Sequence, residues 1–71
     1  MDILIFKTNI NSPGDFNLVR NGLNENHDVK ECTIDFQDRD KVLRVISDKL
    51  TVRQVEKKLG LLGFYCRELN D

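Results

Sequence analysis

The residues able to do chemistry in this sequence are few. Ser12 and Asp15 stand three apart, on either side of Pro13-Gly14. A serine there can cap a helix by accepting a hydrogen bond from a free backbone N–H. Pro13 suits the first helical position, where its missing N–H costs nothing. Asp15 can reach back to the Ser12 N–H and sits well at the positive helix end. The same free N–H groups are suited to holding an anion, but the Asp15 charge opposes one. Cys32 and Cys66 lie inside apolar stretches away from any helix start, which reads as two reduced core thiols rather than redox centres. His27, the single histidine, stands beside Asp28 in a turn cluster without partner ligands, and is read as solvent-facing. Arg53, Glu56, Lys57 and Lys58 are read as the wet face of a helix. No nucleophile–base–orienter set and no Gly-rich phosphate loop occurs, so no catalytic residue, cofactor or enzymatic activity is expected.

The elements that position these groups follow from periodicity. Ile3-Leu4-Ile5-Phe6 marks a strand over residues 2–8. Phe16, Val19 and Leu23 recur at helical spacing, predicting a helix over 13–25, with Gly22 weakening its last turn. Residues 24–28 form a turn. Cys32, Ile34 and Phe36 alternate with Thr33 and Asp35, predicting a second strand over 29–36. Residues 37–40 join it to a third strand over 41–47. Thr51 and Gln54 form a capping box ahead of the stripe Val52, Val55, Leu59, Leu62, which Gly63 closes. A fourth strand is expected over 64–69. The order βαββαβ predicts an α+β, ferredoxin-like two-layer sandwich: a four-stranded antiparallel sheet with both helices on one face. Its spatial strand order is four, one, three, two, with Cys32 and Cys66 on opposite edges, too far apart to bridge. The expected helix-facing set is Leu4, Phe6, Ile10, Phe16, Val19, Leu23, Val29, Cys32, Ile34, Phe36, Val55, Leu59 and Phe64.

Composition narrows the function classes. Seventy-one residues accommodate one domain, residues 1–71, with a small core. The chain is 39% hydrophobic and 32% charged, as a foldable soluble protein is. A net charge of −1 gives no electrostatic case for nucleic acid or acidic membranes. There is no run of transmembrane length and no signal-peptide pattern, so the expected localisation is cytoplasmic.

The landmarks, taken together, resemble the heavy-metal-associated domain, the module of copper chaperones and of the cytosolic tails of copper-transporting ATPases. Val19 and Leu23 match the family's helix pair, Asp28-Val29 stands in for its Gly-Val, Ile34-Asp35-Phe36 for its strand end, and Gly63-Phe64 for the start of its last strand. The resemblance covers nearly the whole chain and implies the fold just derived. It also implies a Met-x-Cys-x-x-Cys metal loop after the first strand, and here the chain departs. Ile10 stands at the methionine position, Ser12 at the first cysteine and Asp15 at the second. Soft ions such as Cu(I) select thiolates, which a hydroxyl and a carboxylate do not replace. Pro13 would also stiffen a loop that in the family flexes around the ion. No metal site is expected at Ile10, Ser12 and Asp15.

Ile3, Ile5, Val42 and Ile46 alternate away from the core set and are expected on the open sheet face, with Tyr65 and Leu69 extending them. Such a patch suits a protein partner or a weak homodimer, although singly exposed aliphatics are ordinary. Three functions stay open at this point: a metal-free protein-interaction or regulatory module, a metal-binding or metal-transfer domain with atypical or partner-supplied ligands, and, by fold analogy alone, a small-ligand sensor.

Overall fold

The computed structural model describes residues 2–26 and 28–69, and His27 falls outside them. The chain folds as β1 (Asp2–Thr8), α1 (Pro13–Asn24), β2 (Val29–Asp35), β3 (Val42–Ser47), α2 (Val52–Leu61) and β4 (Cys66–Glu68). All neighbouring strands pair antiparallel in the order β2-β3-β1-β4, so β2 and β4 are the edges. Both helices cover one face, giving the ferredoxin-like sandwich.

The core lies between sheet and helices. Phe6 of β1 and Leu43 and Val45 of β3 pack with Val19 and Leu23 of α1 and Val55 and Leu59 of α2, all essentially inaccessible to solvent. Leu4, Phe16, Val29, Cys32, Ile34, Phe36 and Phe64 pack around them, half-buried. Leu43, Val45 and Leu50 are core residues that the expected helix-facing set omits. In Val42-Leu43-Arg44-Val45-Ile46 apolar side chains point both ways, and the charged Arg44 shares its face with Val42 and Ile46. Pairing with Phe6 and Leu4 decides for Leu43 and Val45.

β4 is shorter than the expected strand. The Phe64 N–H donates back to the Leu59 carbonyl (2.9 Å) and the Gly63 N–H to that of Gly60 (3.1 Å), a Schellman closure of α2 with Gly63 at φ +90°. That left-handed turn is why glycine stands at position 63. The Tyr65 N–H donates to Asn9 Oδ1 (2.8 Å), so ladder pairing begins only at Cys66. α1 ends one residue earlier than expected, at Asn24. Gly22 does more there than weaken a turn. It is buried where α1 meets α2, and a Cβ on it would lie 3.0 Å from Leu62 Cδ1.

Candidate functional site

The β1–α1 junction holds Ile10, Ser12 and Asp15, and Ile10 and Ser12 each have a structural task. Thr8 ends β1 with a buried hydroxyl. Its Oγ1 donates to the Lys41 carbonyl (2.7 Å) and accepts from the Ile10 N–H (3.2 Å), while its N–H donates to the Asp40 carbonyl (3.0 Å). The loop therefore starts tied to the β2–β3 turn. Lys41 of that turn adopts φ +47°, unusual for a residue with a Cβ. It is held by its N–H on the Asp38 carbonyl (2.9 Å) and by Nζ on the Phe36 carbonyl (2.9 Å). Asn9 ties the loop sideways to Tyr65. Ile10 is fully buried in the core.

Ser12 is the extended N-cap of α1. Its Oγ accepts from the Asp15 N–H at 3.1 Å, and its carbonyl accepts from the Phe16 N–H at 3.0 Å. The return bond expected from the Ser12 N–H to the Asp15 carboxylate is not formed among the described residues. Aspartate is one methylene shorter than the Glu or Gln that closes a capping box. At the other helix Gln54 does close it: Gln54 N–H donates to Thr51 Oγ1 (3.2 Å) and Thr51 N–H to Gln54 Oε1 (2.9 Å). Phe16 then packs edge-on against Phe36, ring centroids 6.5 Å apart, with the Arg20 guanidinium 5.7 Å above the Phe16 ring.

As a ligand set this junction offers little. No three His, Cys, Asp or Glu side chains converge into a metal-suited cluster among the described residues. Cys32 and Cys66 are free thiols on the opposite edge strands. Burial pushes the Cys32 thiol up to about 11, against a smaller opposing pull from Arg20. Burial pushes Cys66 up to about 12, with Glu56 raising it further. Such groups hold almost no thiolate at neutral pH, the form that attacks electrophiles and ligates soft metals. Of the α2 charges, Arg53 and Lys57 are exposed and Glu56 is half-buried. Lys58 instead pairs with Glu25 at 3.3 Å, joining the helices beside Gly22.

The four aliphatics of the sheet are placed by the ladders. Ile3 pairs directly with Ile46 and is 62% exposed. Ile5, Val42 and Ile46 are half-buried. Leu69 is half-buried and donates its N–H to the Ile5 carbonyl (2.8 Å), while Tyr65 is exposed ahead of β4. Arg44 stands between Val42 and Ile46 on the same face and opposite Ile5. Its parity in β3 placed it there, but a reading for apolar residues passes over it.

No protein-family model matches the sequence, and no curated protein matches it. Solved structures do match in fold. The N-terminal domain of ZntA in its Zn(II) form superposes with a TM-score of 0.80 at 21% identity, covering 93% of this chain and 89% of that one. A chain solved in work on crosstalk between Cu(I) and Zn(II) homeostasis gives 0.83 at 11% identity, covering 97% and 100%. A chain of the Atx1–Cu(I)–Ccc2a complex gives 0.83 at 20% identity, covering 97% and 96%. Among the described residues no helix is long and apolar enough to cross a membrane. In strand order, layering and helix placement, the chain has the ferredoxin-like fold of the heavy-metal-associated domains that its landmarks resemble.

Proposed function

We propose that this chain is a non-enzymatic, cytoplasmic protein-contact or regulatory module of the heavy-metal-associated type, in which the metal loop serves as a structural junction. One observation carries the reading. Ile10 is packed in the core and the Ser12 hydroxyl holds the helix N-terminus, so two of the three groups at the ligand positions are already engaged. Neither is a thiolate, and a soft ion would gain little by displacing them. The protein-contact part draws support from the fold neighbour solved as the Atx1–Cu(I)–Ccc2a complex, in which one such domain meets another protein.

A second reading, metal binding through atypical or partner-supplied ligands, has in its favour the Zn(II) and Cu(I) of the neighbours. Competition titration against a Cu(I) chelator under reducing conditions, with a parallel Zn(II) arm, separates the two. The expected result is no stoichiometric retention of either ion by the wild-type chain. Copper binding should appear on Ser12→Cys with Asp15→Cys. Stoichiometric retention by wild type overturns the proposal. Loss of that retention in Cys32→Ser or Cys66→Ser would assign it to those thiols.

A further inference from the structure

The open sheet face is divided by charge as well as dotted with aliphatics. Glu31 and Asp35, the acidic residues of β2 on this face, are exposed along one edge. Arg44 on β3, Lys7 on β1 and Arg67 on β4 carry positive charge across the rest, and all three are exposed. Lys7 pairs with Asp40 at 3.5 Å, whereas Glu31, Asp35, Arg44 and Arg67 enter no ion pair among the described residues. Between the two edges lie Ile3 against Ile46, with Ile5 beside Leu69.

We propose that this face binds a second copy of the chain, sheet to sheet, about a two-fold axis parallel to the strands. This rests on the protein-contact reading above and names its partner. The axis follows from the charges. A two-fold perpendicular to the strands would lay β2 antiparallel on β2 and bring Glu31 against Asp35 of the second copy, which like charges oppose. The parallel axis lays β2 of one copy over β4 of the other and β3 over β1. Asp35 then meets Arg67 of the second copy, Ile46 meets Ile3, and Arg44 lies over Ile5; each contact occurs twice. Thr33, Ile34, Asp35, Val42 and Arg44 line a depression of about 280 Å³ where Asp35 would meet the second copy.

The size of the face sets the strength. Strands about 4.8 Å apart and three outward positions per strand give about 400 Å² per copy. The total of about 800 Å² is below the roughly 1,200 Å² at which stable interfaces begin. The dimer is therefore weak, with a dissociation constant of about 0.1–1 mM.

Sedimentation of the metal-free full chain up to about 1 mM tests this, a range set by the weak-interface expectation. Wild type should show concentration-dependent dimer. Ile3→Lys should abolish it with an unchanged circular dichroism spectrum. Asp35→Arg and Arg67→Asp should each weaken it by about tenfold, since each reverses two symmetry-related contacts. Mixing those two variants should restore association. In the mixed dimer the introduced arginine of one chain faces the introduced aspartate of the other, and the remaining native Arg67 faces the remaining native Asp35. A monomeric wild type across the range overturns the dimer, as does association that survives Ile3→Lys. Charge reversals that weaken association without rescue on mixing overturn the strand-parallel axis. Failure of the underlying reading shows separately, as stoichiometric metal in the titration above.

Discussion

The β1–α1 and β3–α2 junctions have the same length, residues 9–12 and 48–51, and the same construction. Each strand ends on a buried hydroxyl, Thr8 or Ser47. Each hydroxyl accepts a backbone N–H from the aliphatic residue that plugs the core behind it, Ile10 or Leu50, at 3.2 Å in both cases. The first loop residue ties each junction to an edge: Asn9 accepts from Tyr65 before β4, and the Asp48 N–H donates to the Asp28 carbonyl before β2. A hydroxyl then caps each helix, Ser12 or Thr51. Where the resembled family places its ligands only in the first loop, this chain builds both loops alike. The difference lies in how the work is shared. The first junction anchors more through its hydroxyl, because Thr8 also donates to Lys41 and so holds the hairpin turn. The second anchors more through its cap, because Gln54 returns the hydrogen bond that Asp15 does not.

The largest expected effects are at the plugs. Ile10→Ala and Leu50→Ala should each destabilise the fold by about 2–5 kcal/mol in urea unfolding. Ile10→Ala should be at least as costly, since Ile10 is fully buried and Leu50 is 6% exposed. An Ile10→Ala protein of near-wild-type stability would break the comparison, marking the first loop as an open ligand loop.

The strand-end hydroxyls come next. Thr8→Val leaves the Ile10 N–H and the Lys41 carbonyl without their partner, and Ser47→Ala leaves only the Leu50 N–H. Orphaned buried groups cost about 1–3 kcal/mol each, so Thr8→Val should lower the denaturation midpoint more than Ser47→Ala. Equal losses would remove the hairpin anchor from the account of the first junction.

The caps should give the smallest effects, in the opposite order. Ser12→Ala should cost about 1 kcal/mol. Thr51→Ala should cost somewhat more, because it also breaks a reciprocal pair. Thermal unfolding of both variants reads the difference. A Ser12→Ala midpoint equal to wild type would show that Ser12 does not hold α1.

The elements and their order are legible in the sequence because their signals are local. Periodicity, the Ser12-Pro13 and Thr51-x-x-Gln54 starts and the Gly63 stop each arise within one turn or one strand. So is the absence of a thiolate at positions 12 and 15, which needs only residue identity. What the sequence leaves open depends on partners distant in the chain. Leu43 and Val45, absent from the expected helix-facing set, are placed in the core by pairing with β1 near the start of the chain. Thr8 gains its role from Lys41, thirty-three residues on, and Asn9 from Tyr65, fifty-six residues on. A threonine and an asparagine before a helix look like ordinary loop polarity until the turn and the edge strand arrive beside them. Arg44 likewise comes to share a face with Lys7 and Arg67 only once β3, β1 and β4 lie side by side. Local sequence determined what each segment becomes; tertiary structure decided which polar groups are anchors and which charges share a face, because hydrogen bonds and burial depend on who is near in space.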